Sequence, residues 1–183
     1  MSEEIQAPQQ SIETRIADLP WDRIRTMYAP KATPEQFALF KYTCCQYNLN
    51  PLKNEIMFWA QSGKPYILKE GCFAIANRHD QFDGLQSGIM YDGDTLMQRT
   101  DGSYFVVLGE EHFRLKDDKI VGAYCNVYRK DQSKPTIAFS YMSSSRQEKA
   151  IWYDKPHDMI IKCAEMKAIK KAFALNLDMS EDE

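Results

Sequence analysis

The chain has 183 residues, 44% apolar and 27% charged, with a net charge of −3. That length supports one packed core, while the acidic, polar start and the lack of an apolar run of membrane length argue against a secretory signal or a spanning helix. Five cysteines (Cys44, Cys45, Cys72, Cys125, Cys163) show no Cys-x-x-Cys spacing and none lies at zinc-finger distance from His79, His112 or His157, which predicts free thiols in a reducing cell interior.

Residues 1–18 read as an acidic, loosely attached N-terminus. Thr33 is a predicted N-cap, with Pro34 at the first helical position and Gln36 at the third, opening a helix over 36–47. Asn48-Leu49-Asn50-Pro51 stops it. A strand over 55–60, a turn over 61–65 and a strand over 66–68 read as a hairpin, followed by a helix over 70–79 with Phe73, Ile75 and Ala76 inward. Strands are predicted over 85–91, 104–108, 120–129 and 135–142, the last two paired through a loop at 131–134. A basic stretch, 146–155, leads to the last helix, with Asp158 as N-cap after Pro156 and the helix running over 159–175. The order of elements predicts a single α+β domain over 19–177, with a hairpin and a small antiparallel sheet packed against helices. An acidic tail, 178–183, follows.

The last helix is apolar over most of its surface, the pattern of an element packed on two sides. At about 100° per residue, Lys167, Lys170 and Lys171 fall within a third of its circumference, with Lys162, Glu165 and Asp158 on the other side. Charge is unevenly spread along the chain. Residues 1–18 carry −3 and 178–183 carry −4, which leaves +4 for 19–177; residues 129–171 alone carry +5. A basic region between acidic ends is a nucleic-acid signal.

Catalytic motifs are weak. Asp117-Asp118-Lys119 matches the Asp-x-Lys of metal-dependent nucleases but sits where a charged turn is expected. Asp92-Gly93-Asp94 starts like a calcium loop yet lacks its later glycine and glutamate. The chain contains no phosphate loop and no nucleophile elbow. Residues 128–155 instead interleave cations with aromatics: Tyr128, Arg129, Lys130, Lys134, Tyr141, Arg146, Lys149, Trp152, Tyr153 and Lys155. Binding a nucleic-acid backbone needs several cations on one surface, and bases held without sequence readout need stacking platforms.

Four ordered blocks carry a resemblance. They are Leu49-Asn50-Pro51 with Glu55-Ile56; Gln81-Phe82-Asp83-Gly84; Tyr128-Arg129-Lys130-Asp131 with Pro135; and Lys162-Cys163-Ala164-Glu165 with Ala168, Lys170 and Ala172-Phe173. Over residues 37–175 the chain resembles the RecT/Redβ family of phage single-strand annealing proteins, the third block pointing to the Redβ branch. The resemblance implies a fold similar to that of the annealing recombinases. It implies a protein without enzyme activity or cofactor that binds single-stranded DNA, pairs it with a complement without ATP, and holds the annealed duplex intermediate in an oligomeric ring or filament. It also implies work beside a phage exonuclease in the cytoplasm of a bacterial host. On this reading Arg129, Lys130, Arg146, Lys149, Lys155, Lys162, Lys167 and Lys170 neutralise phosphates, and Trp152, Tyr153 or Tyr141 stacks on bases. The alternatives are a metal-dependent nuclease and a DNA-binding module that does not anneal.

Overall fold

The structure, a computed structural model, describes residues 15–114 and 119–175, apart from the side chains of Glu111 and Arg114. Asp117, Asp118 and the acidic tail therefore lie outside the described residues. A 3₁₀ turn, Ile16–Asp18, precedes α1 (Trp21–Tyr28) and α2 (Pro34–Gln46). Ile16 is buried, so the end of the stretch expected to be loose is packed.

The capping box of α2 forms as expected. Gln36 N–H donates to Thr33 Oγ1 at 3.2 Å, and Thr33 N–H donates to Gln36 Oε1 at 2.9 Å, pairing two backbone donors that the helix itself leaves unmet. α1 has no side-chain cap. That helix forms because Trp21 and Ile24 bury against the core and Trp21 meets Phe37 edge-on.

A second 3₁₀ turn, Pro51–Lys53, leads into the hairpin of β1 (Ile56–Trp59) and β2 (Lys64–Ile67). The junction is tied by a buried carboxylate. Glu55 accepts the Asn50 N–H at 2.7 Å, and Arg78 of α3 (Lys69–Arg78) pairs with it at 3.3 Å while also donating to the Asn48 carbonyl. Gly71 on α3 lies so close that a Cβ would sit 1.9 Å from the Glu55 carbonyl oxygen. Of the inward positions expected on α3, Ala76 is buried; Cys72 and Gly71 take the deepest places, and Phe73 and Ile75 are half-buried.

The main sheet is antiparallel in the order β3-β6-β7, formed by β3 (Phe82–Tyr91), β6 (Ile120–Arg129) and β7 (Thr136–Tyr141). β3 starts three residues before the expected strand, with an irregularity between Phe82 and Leu85 where Gly84 adopts φ +97°. The β6–β7 pairing expected from the sequence is present, with Val127 opposite Thr136. The strand at 104–107 finds a partner that the sequence did not announce. β4 (Thr95–Gln98) and β5 (Tyr104–Val107) form a separate hairpin, docked by Asn126, whose side chain bonds both backbone groups of Tyr104. Short helices α4 (Glu110–Arg114), α5 (Met142–Ser145) and α6 (Ala150–Asp154) complete the connections.

The last helix, α7 (Pro156–Ala172), lies across the β3-β6-β7 sheet and beside α3. It begins earlier than expected. Pro156 separates α7 from the preceding helix, which ends at Asp154, and itself occupies the first helical turn, where its fixed φ and missing N–H are tolerated; Lys155, not Asp158, is the N-cap, and Asp158 is a first-turn acid. Ile160, Ala164, Glu165, Met166, Ala168, Ile169 and Ala172 are buried. All five cysteines are free, and burial pushes the Cys44 and Cys125 thiols up to about 12 and Cys72 to about 11.

Gly71→Ala is expected to lower stability by about 1–3 kcal/mol or more, because the new methyl meets backbone that cannot give way; urea denaturation would read the loss. In a thiol-labelling experiment on the native protein, exposed Cys45 is expected to react first, with Cys44, Cys72 and Cys125 reacting only on unfolding.

Candidate nucleic-acid interface

Glu165 decides how α7 sits. Only 8% exposed, it accepts from Ser87 Oγ of β3 at 2.7 Å and pairs with Lys69 Nζ of α3 at 2.8 Å. A buried charge is tolerable only when paired and hydrogen-bonded, so this side chain fixes the rotation of α7 against two neighbours. The remaining cations of α7 are thereby aimed. Lys162, Lys167 and Lys170 are half-exposed, and Lys171 is exposed with its Nζ 3.4 Å from the Ile137 carbonyl. Lys162 and Lys170, which the helical wheel puts on different sides, both come close to Cys72 of α3. Burial dominates that thiol's rise, and the two lysines partly offset it.

The lead-in to α7 carries the most open cations. Arg146, Lys149 and Lys155 are all exposed. The Arg146 guanidinium lies 4.4 Å from the centre of the Tyr153 ring, which is 56% exposed. Arg146 and Tyr153, with Ile120, Met142, Ser143, Gln147 and Glu148, line an open cleft of about 500 Å³. α7 itself, 17 residues long, extends for about 25 Å, the span of roughly seven phosphates at the spacing of one strand.

Two expected contacts, Trp152 and Arg129, are placed elsewhere. Trp152 is 2% exposed and belongs to the core, because α6 turns it beneath α7; the open aromatics of this segment are Tyr153 and Tyr141. Arg129, its side chain 16% exposed, holds Asp131 through two hydrogen bonds, donates to the Ala172 carbonyl at the end of α7 and lies over the Phe173 ring. The Asp131 contact raises the Arg129 pKa and lowers that of Asp131. Arg129 therefore satisfies the C-terminus of α7, as cations do at helix ends. Lys130 is exposed but donates to the Asp80 carbonyl at 3.2 Å.

A second pocket, about 520 Å³, opens between β5 and the start of α7. Its polar groups are mutually satisfied. The Tyr91 hydroxyl lies 2.6 Å from His157 Nε2, and His112 Nδ1 lies 2.8 Å from Asp94 Oδ2. Asp94 also accepts the Tyr91 and Gly109 amides, which uses both its oxygens and removes it from any calcium-loop role. Burial alone would raise the Asp94 carboxyl; the bonds from His112, Tyr91 and Gly109 outweigh it and hold the carboxyl below its usual range. No helix among the described residues is long and apolar enough to cross a membrane.

Because the Asp94 value is depressed on folding, its stabilisation is complete above the ordinary carboxyl range and is lost as pH falls through the folded value. Asp94→Asn is expected to cost about 1–3 kcal/mol near neutrality, with the gap to the parent narrowing below about pH 4. Urea denaturation at a series of pH values measures this.

A protein-family model, that of the RecT family, matches residues 14–183. A search of the curated proteins finds no match.

Proposed function

Because the chain belongs to the RecT family, known for single-strand annealing in recombination, we propose that it binds single-stranded DNA and anneals it to a complementary strand without nucleotide hydrolysis. The observation that carries this reading is the set of exposed and half-exposed cations in the lead-in and on α7, Arg146, Lys149, Lys155, Lys162, Lys167 and Lys170, with exposed Tyr153 beside Arg146. Phosphates of one strand lie against these cations, and their neutralisation lowers the repulsion that a second phosphate chain meets. Correct pairing then supplies the driving free energy, at about 1.4 kcal/mol per base-pair step. Tyr153 and Tyr141 provide stacking surface at the N-terminal end of α7. No catalytic centre or cofactor enters this scheme.

The working form is an oligomeric ring or filament on the Redβ pattern. Two sets of exposed apolar side chains support it: Met27, Leu39, Tyr42 and Leu52 on the N-terminal helices, and Met97, Val107, Leu108 and Phe113 on the β4–β5 hairpin and α4. Two different patches on one subunit suit head-to-tail association, which closes into rings or continues as filaments. A phage exonuclease that produces the single strand is the proposed partner, and the bacterial cytoplasm the proposed setting.

Charge reversal at Arg146, Lys149 and Lys155 together is expected to weaken single-strand binding at least tenfold at moderate salt and to reduce the slope of log affinity against log salt by about 2. Unchanged binding removes the lead-in cations from the mechanism. A fluorophore–quencher pair on complementary oligonucleotides is expected to report annealing without ATP. Binding without annealing would leave a DNA-binding module, and degradation of the oligonucleotide in Mg²⁺ would favour a nuclease.

A further inference from the structure

Two stretches of the chain carry equal and opposite charge. Residues 19–54, which form α1, α2 and the Pro51–Lys53 turn, hold five Lys/Arg against two Asp/Glu, a net +3. Residues 92–119, which run from β3 to β6 through the β4–β5 hairpin and α4, hold seven Asp/Glu against four Lys/Arg, a net −3. Each stretch also exposes large apolar side chains. In the basic stretch Met27 of α1 is 71% exposed, and Arg23 stands one turn earlier on the same face. α1 packs beside the Pro51–Lys53 turn, where Leu52 and Lys53 are exposed.

The acidic stretch frames a socket. The pocket between β5 and the start of α7, about 520 Å³, is lined by Ile89, Val106, Leu108, Tyr124 and Ile161. Its polar groups bond one another, His112 with Asp94 and His157 with Tyr91, so an apolar guest enters without stranding a polar atom. Leu108 of the lining is exposed, and the ring of Phe113, 72% exposed, lies 6.1 Å from that of His112 between centres. The socket is preformed. Asp94 holds the Tyr91 and Gly109 amides, and Asn126 docks the hairpin through Tyr104, so little is left to order on binding.

We infer that the guest of this socket is a second copy of the chain, whose Met27 and Leu52 dock against the pocket and Phe113 while its basic stretch faces the acidic one. Apolar side chains supply the contact area, and the opposite local charges set which faces meet and suppress pairing of like with like. A chain that carries both halves of such a contact on different surfaces joins head to tail and leaves one half open at each end. The inference rests on the oligomeric form proposed above and adds to it which faces meet and in what order.

Sedimentation of the full chain without DNA tests this. The parent is expected to form assemblies that shrink as salt rises, because the charge contribution is screened. Met27→Asp and Phe113→Asp, each at an exposed position, are expected to weaken the contact about tenfold or more and to sediment as smaller species. An equimolar mixture of the two variants is expected to stop at pairs, since only the knob of the Phe113→Asp chain and the socket of the Met27→Asp chain remain intact. If either variant assembles as the parent does, if salt leaves the parent assemblies unchanged, or if the mixture forms no pairs, the inference falls. A parent that stays single yet anneals complementary oligonucleotides overturns the inference and leaves the annealing reading standing. A parent that assembles as expected but does not bind oligo(dT) overturns the annealing reading and leaves the contact in place.

Discussion

A carboxylate buried under a helix orders this molecule. Glu165 lies on the inner side of α7, where an unpaired charge would cost several kcal/mol. Its two partners come from different elements, Ser87 of the main sheet and Lys69 at the start of α3. Satisfying both admits only a narrow range of rotations and heights for α7. Small residues help from the same side, since buried Ala164, Ala168 and Ala172 let the helix lie close to the sheet. Arg129 then fastens the far end through the Ala172 carbonyl. With its middle and end held, α7 has a fixed rotation against the sheet.

Glu55 repeats the device at the other end of α3. It joins the end of the α2 turn, the hairpin and Arg78, and close approach at Gly71 leaves α3 no room to shift. α3 is thus held at its start by Glu165 and at its end by Glu55. The sequence blocks that carry the family resemblance fall largely on these ties: Asn50 and Glu55 in one, Arg129 and Asp131 in another, Glu165 and Ala172 in a third. They describe how the scaffold is fastened. The cations proposed to meet DNA lie mostly between the blocks, in the 146–155 lead-in and on the open side of α7.

This arrangement also resolves the apparent conflict between a net charge of −3 and a polyanionic ligand. Attraction over a Debye length of about 10 Å depends on local charge, and two acids beside α7 are engaged: Glu165 with Lys69, Asp131 with Arg129. Pairing them inside the fold leaves the lead-in with Arg146, Lys149 and Lys155 against exposed Glu148 and Asp154, a local charge of +1.

The sequence alone determined what local rules govern. The capping box at Thr33, the hairpin at 56–67, the β6–β7 pair and the apolar pattern of the last helix are each legible within a dozen residues, because turn chemistry and side-chain period act at that range. The charge partition is likewise a property of the chain. Tertiary structure decided the rest. β4 has four residues and little pattern, and exists because β5 and Asn126 give its hairpin a place. α1 forms around two buried side chains rather than a cap. The N-cap expected at Asp158 falls on Lys155, because Pro156 itself starts the helix. Among the proposed contacts, Trp152 and Arg129 are indistinguishable in sequence from Tyr153 and Arg146; one pair is drawn into the core and the helix end, the other left open. A sequence lists which residues carry charge and ring, but burial and pairing are made between segments far apart in the chain, and only the packed molecule sets which of them remain free to meet a ligand.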